Sequence, residues 1–415
     1  MASLTATSAP SSSPGSRSNP HTSIVSLFRP FFCLNLTTTV VHCVSLILPG
    51  HSDHRNGYRQ LAAFALQSPM LLDTILSIAT TYMNCRRMTP RSVALATQSR
   101  ALASLRRGVD ALSNHHNPCE TPTNQAEAAC LKREVLATIL LQITVEICNG
   151  TSAVGSHIGY AASLFRELGY CEHAPTTPIG LVLTHRMAFV DVLSSILWRR
   201  RPLLSPGFWF LDCEAEHRMA EDLAPRFQDT TGCPFWVVRI LARISHLVAD
   251  VEDGVVTEAD KTMGALTLEG DLAAAAREYM GGPAQTPSTD QDNPVETVGR
   301  CYYWSAVILL QTRVFLDARS SPRVQMSLAA LLHLLTALPI GCGPDSALSL
   351  PLYTAGLAAV RADDRALIRD RSQRLDAYYP SRTRTALTAA FGDMWAAADA
   401  ELDADPMRQQ ALFIC

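Results

Sequence analysis

A chain of 415 residues that is 47% hydrophobic and 18% charged has the bulk for a large core, arranged as two sub-domains or as one extended helical array. Its formal charge of -3 removes any general attraction to phosphate. With only Lys132 and Lys261 as lysines, nothing in it resembles the basic face of a nucleic-acid binder, and twelve cysteines without a two-residue gap between any pair argue against a structural zinc centre and for a reducing compartment.

Ala and Leu dominate from Leu61 to Cys415, with no run of alternating β-branched residues. The fold class this implies is all-α, an array of antiparallel helix pairs. Ahead of it Ser, Thr and Pro crowd Ser8–Ser18, too polar to offset the entropy of ordering, so disorder is expected to about His21 and residues 1–45 are set apart as an N-terminal tail. Phe31–Pro49 carries no charge over nearly the length of a bilayer crossing. Asn35, Thr37, Thr38, Thr39, His42 and Ser45 are poor lipid-facing residues, which favours a segment packed on the helices, or sequence from a misplaced start or intron, over a membrane anchor.

From Leu61 to Met83 apolar residues recur at helical spacing, with Pro69 in a first turn behind Ser68. Val93–Leu112 reads as a second helix and Ser113–Gln125 as a polar link. In Glu127–Tyr170, on which the rest of the chain leans, Leu136, Ile139, Leu140, Ile143 and Ile147 share one helical face, and Ile158, Ala161, Ala162, Phe165 and Leu168 share another. Asn149-Gly150 stops the first run, Thr151 or Ser152 is placed to cap the second, and Gly169 ends it. The two runs therefore fold back as an antiparallel pair. Further helices are expected at Ile179–Arg200, Phe235–Asp253 and Lys261–Met280, with an irregular Pro-containing stretch at Arg201–Pro234. Gly281–Asn293 is a polar, Pro- and Gly-rich linker between a first half, 46–280, and a second, 294–415. In the second half helices are expected at Val295–Ala318, Pro322–Ala337, Leu350–Val360, Asp363–Tyr379 and Ser381–Leu402.

Few residues offer a pattern for chemistry. His51, Asp53 and His54 lie close enough together to hold a metal, yet a polar loop before a helix places them in water. Cys213, His217 and Glu221 fall at four-residue steps, but Pro206 and Pro225 leave little helix to align them, and a surface stripe is the preferred reading. Asp363-Asp364 lacks a third acid for magnesium and is read as the start of a helix. Thr151–Ser156 holds serines without a nucleophile elbow. Glu146, between Val145 and Ile147, is read as a partly buried structural carboxylate paired with an arginine. Arg199-Arg200-Arg201 is read as a solvated helix end, too short a run to establish nuclear import. No catalytic, cofactor-binding or metal-binding residue is assigned.

The stretch NGYRQLAAFALQSPMLLDTILSIATTY, which holds Tyr58 and ends at Tyr82, preceded by LILPGHSDHR, resembles the opening of the fungal-specific transcription factor regulatory domain, the helical region that follows a zinc binuclear cluster module in many fungal activators. Ala101–Leu112 resembles its second helix, and Ala137–Gly169, with Glu146, Gly150, His157 and Ala162, its central pair. Arg300–Phe315, Leu350–Ala358 and Phe391–Ala397 resemble the later helices. The similarity spans about Leu46–Cys415. In Met1–Ser68 only Cys33 and Cys43 stand where the family's activators carry six cysteines. The resemblance thus implies a nuclear regulator of a specialised-metabolite gene cluster, acting through a DNA-bound zinc-cluster regulator, self-association or a small-molecule effector, with no direct nucleic-acid binding, no cofactor and no membrane role expected. The alternative is an enzyme on a helical scaffold acting on an apolar metabolite of the same pathway.

Overall fold

The computed structural model describes residues 57–114, 122–151, 153–210, 225–279 and 293–400, and every regular element among them is helical. In chain order the α-helices are α1 (Tyr58–Ala65), α2 (Pro69–Cys85), α3 (Arg91–Asn114), α4 (Pro122–Asn149), α5 (Val154–Glu167), α6 (Pro178–Trp198) and α7 (Phe227–Thr231), with short 3-10 helices at Pro206–Phe210 and Pro344–Ala347. They continue with α8 (Phe235–Glu252), α9 (Glu258–Tyr279), α10 (Pro294–Leu309), α11 (Pro322–Ala337), α12 (Ser349–Ala358), α13 (Ala362–Tyr378) and α14 (Arg382–Asp399). A π-helical turn, Leu310–Val314, extends α10. The fold class is all-α, as the periodicity implies. Residues 1–56, which include the N-terminal tail and the Phe31–Pro49 segment, and most of the Gly281–Asn293 linker lie outside the described residues.

Four helices start from the same two-residue signal. Ser68, Thr177, Asn293 and Ser321 each precede a proline at the first helical position. Their side chains accept from the backbone N–H of Leu71 (3.4 Å), Gly180 (3.2 Å), Val295 (3.1 Å) and Val324 (3.3 Å). Proline suits that position because its φ is already helical and its missing N–H would have no partner there. The Ser68-Pro69 signal also divides the apolar stretch Leu61–Met83 into α1 and α2.

α4 and α5 form the expected antiparallel pair, with Gly150 (φ +63°) and Gly169 (φ +73°) in the left-handed conformation that ends each helix. The cap of α5 differs from expectation. Its N-cap position is Ala153, with no side-chain cap bond, because Thr151 turns its hydroxyl back to the Glu146 carboxylate. A hydrogen bond to a charged acceptor is the stronger of the two choices open to that hydroxyl.

α6 is the axis of the packing. It is long and apolar enough to cross a membrane, but 89% of its apolar window is buried inside the protein, so it is a core helix. α1, α4, α5, α7 and α8 all pack against it. Phe189 of α6 meets Tyr302 of α10 with ring centroids 6.0 Å apart, and buried apolar residues from both halves of the chain join one cluster. α10 in turn carries α11 and α12. α12 crosses α14 at Gly356, where an added Cβ would stand 2.6 Å from the Phe391 ring and 2.8 Å from the Met394 methyl. Trp395 stacks on Phe391 at 5.4 Å and donates its indole N–H to the Gly356 carbonyl at 3.0 Å. α14 also reaches back to α4, with the Thr383 hydroxyl donating to the Ile147 carbonyl.

Candidate functional site

The C-terminal half of α6 carries a lone acid in an apolar run, Asp191 within FVDVL. Its carboxylate is fully buried and accepts from the backbone N–H groups of Leu203 and Leu204, both at 2.9 Å. These bonds fold the segment after α6 back along the helix. Burial raises the Asp191 pKa, opposed by the two backbone donors and by Arg200. Arg199 takes a left-handed conformation (φ +48°) that ends α6. Arg200 then turns inward, donating to Ser194 Oγ at 3.0 Å with its guanidinium 4.6 Å from the Trp198 ring centroid. Only Arg201 stays exposed, paired with Asp250 and Asp253 of the α8 end. The reading of this triplet as a solvated helix end therefore fits Arg201 and not Arg200, which the buried Asp191 draws in.

Beside this end lies a cleft between α6, α8 and the π turn of α10. Its floor is Ile196, Ile244, Val248 and Leu309, and its rim carries Arg199, Arg200 and Arg313. Arg313 is held by the Ile196 carbonyl (2.6 Å) and the Tyr353 hydroxyl (3.2 Å), so it bridges the two halves of the chain. Guanidinium groups over an apolar floor suit an anionic group with an apolar body. The free volume is about 10 Å³, room for one water, so anything larger needs the helices to part. Neither serine of the wall is set up as a nucleophile: Ser195 donates to the Asp191 carbonyl at 2.7 Å and Ser245 to the Leu241 carbonyl at 3.0 Å.

Glu146 is buried, as expected, but its partners are not arginines. Gln142 (2.9 Å), Gln98 (3.4 Å) and the Thr151 hydroxyl donate to it, because the preceding turn of α4 and the neighbouring α3 each present an amide there and the α4–α5 turn a hydroxyl. His157 lies close by, its pKa lowered by burial and raised in opposition by Glu146. Asp363 and Asp364 sit in the first turn of α13, as read, where the helix dipole favours acids. His51, Asp53, His54, Cys213, His217 and Glu221 all lie outside the described residues. Among the described residues no three His, Cys, Asp or Glu side chains are grouped to hold a metal, and the described cysteines are free thiols.

Two functional candidates went unread in the sequence, Asp191 and Arg313. A lone acid inside a 21-residue apolar helix was a visible signal for the first. A third buried centre was equally silent: Asp345 accepts from Gly341 N (2.7 Å), Gly343 N (3.0 Å) and the Tyr379 hydroxyl (2.7 Å), tying the loop before α12 to the end of α13.

The family model described as the fungal specific transcription factor domain matches residues 38–405. No curated relative and no solved structure matches the chain. The matched span takes in every described helix, from α1 through the α6–α8–α10 cleft to the α14 crossing, and with it this chain belongs to the fungal specific transcription factor domain family.

Proposed function

We propose that the chain is the regulatory body of a nuclear transcription regulator that controls a specialised-metabolite gene cluster, working through a DNA-bound zinc-cluster regulator or a second copy of itself. The match of the family across residues 38–405 on an all-helical frame carries the reading. The charge of -3 and the commitment of surface arginines such as Arg201, Arg243 and Arg323 to carboxylates favour contact with protein over contact with phosphate. The cleft between α6, α8 and α10 is the place where a small effector would act, since Arg313 links the halves across it and any ligand larger than water has to move them.

Deleting the gene and measuring transcripts of its neighbours tests this reading. Reduced or raised transcripts are expected, together with co-purification of a zinc-cluster activator. Unchanged transcripts with altered product chemistry would overturn it in favour of an enzyme, and turnover of pathway intermediates by the purified protein would do the same.

A further inference from the structure

α9 buries only one edge. Ala265, Leu268 and Leu272 face inward, and ion pairs from Arg243 to Asp271 and from Arg323 to Glu269 fix its flanks. On the outward side Ala259, Met263, Leu266, Gly270, Ala273 and Arg277 follow one another at alternating steps of four and three, the seven-residue repeat of a helix that pairs with another helix. Met263 is 66% exposed and Leu266 52%, and a Cβ added at Gly270 would meet nothing within 4 Å. Glu269 is one turn from both Leu266 and Ala273, so its bond to Arg323 brings the start of α11 alongside the stripe. Met326, one turn beyond Arg323 on α11, is 69% exposed.

We infer that this face pairs with the same face of a second copy, the two α9 helices running antiparallel across a two-fold axis. The inference rests on the proposed regulatory role and names one partner for it. An antiparallel register centred between Leu266 and Gly270 sets each Leu266 on the other copy's Gly270 and each Met263 on the other's Ala273. Large side chains then meet small ones along the whole stripe. The ends agree in charge as well: Glu258 and Asp260 in the first turn come beside Arg277 of the other copy, twice by symmetry. A parallel pairing would put Met263 on Met263, leave Gly270 facing Gly270 and bring like charges together.

A 22-residue helix is about 33 Å long and about 10 Å wide, so the pair buries on the order of 600–700 Å² in total. That is the area of a weak, transient contact. It matters where two copies are held near each other by a shared partner, since tethering supplies an effective concentration in the millimolar range.

Sedimentation velocity on the full chain from about 5 μM to about 1 mM, reaching the concentration that tethering supplies, tests the pairing. The weight-average mass should rise toward that of a dimer with concentration. Leu266→Asp and, separately, Gly270→Trp should hold it at the monomer, with far-UV circular dichroism unchanged and the denaturant midpoint not lowered, because both positions are open in the monomer and loss of the helical glycine can only raise it. Arg277→Glu should weaken association at low salt, and Glu258→Arg on that background should restore it. A monomer at every concentration, or a dimer indifferent to both Leu266→Asp and Gly270→Trp, overturns the inference. Capture of a foreign helix by the intact stripe with no self-association overturns it too. Each of these results leaves the transcript test untouched, so the two readings fail separately.

Discussion

Gly356 and Gly392 stand on the two helices of one crossing, and the same substitution at each should move stability in opposite directions. In a helix interior Gly→Ala gains roughly 0.5–1 kcal/mol from backbone entropy alone. At Gly392, which is exposed and has no atom within 4 Å of an added Cβ, that gain stands unopposed, and Gly392→Ala should stabilise by about that amount. At Gly356 the new methyl lands 2.6 Å from the Phe391 ring. The ring cannot swing aside because Trp395 is stacked on it at 5.4 Å, and Trp395 is in turn anchored to the Gly356 carbonyl. Overpacking of this kind costs about 1–3 kcal/mol, and loosening the indole hydrogen bond adds about 1 kcal/mol. After subtracting the entropic gain, Gly356→Ala should destabilise by roughly 1–3 kcal/mol. Equilibrium unfolding in urea reads both variants as shifts in midpoint at constant slope. Phe391→Leu should lessen the damage, giving a coupling energy of about 1 kcal/mol or more in a double-mutant cycle. If Gly356→Ala stabilises as Gly392→Ala does, the helices do not approach closely there and the reasoning fails.

Asp191→Ala leaves the Leu203 and Leu204 N–H groups without acceptors and should destabilise by about 2–5 kcal/mol, whereas Asp191→Asn keeps one acceptor oxygen and should cost less. Because burial raises the Asp191 pKa above its ordinary 3.8, the folded state holds its proton more tightly than the unfolded state. Its favourable contribution is complete below pH 3.8 and is lost as pH climbs through the folded value, so the stability gap to Asp191→Asn should narrow with rising pH; a gap that widens contradicts the assignment. The Cys148 thiol is pushed up to about 12 by burial, and native protein at pH 8 should leave it unlabelled by iodoacetamide, with modification appearing in peptide mass spectra only after unfolding. Phe165 is fully buried between Tyr170 and Phe208, and Phe165→Ala should cost about 3–5 kcal/mol in the same urea assay; a loss under 1 kcal/mol would mean that this aromatic cluster is not part of the core.

Most of the frame was legible because its signals are local. Ser321-Pro322 carries both cap and first turn, and the helix read from that point, Pro322–Ala337, has the observed bounds. The same signal at Thr177-Pro178 and Asn293-Pro294 places the starts of α6 and α10 one residue ahead of the apolar periodicity. What escaped depends on residues far apart in the chain. The donors to Glu146 include Gln98, 48 residues away on α3, and no local pattern announces that pairing. The π turn at Leu310–Val314 has the composition of the helix it extends, so the orientation of Arg313, bonded to Ile196 117 residues earlier, could not be read from spacing. The cleft is built from three such long-range placements.

The bond between Thr383 and Ile147 spans 236 residues. At about 5–20 residues per second the ribosome needs roughly 12–50 s to deliver Thr383 after Ile147 has emerged, and for that interval the tip of the central helix lacks its contact with α14. A newly made chain therefore completes this end of its core only when α14 arrives. Any stop codon before Thr383 should leave no smaller working version of the protein, only a polypeptide that the cell degrades.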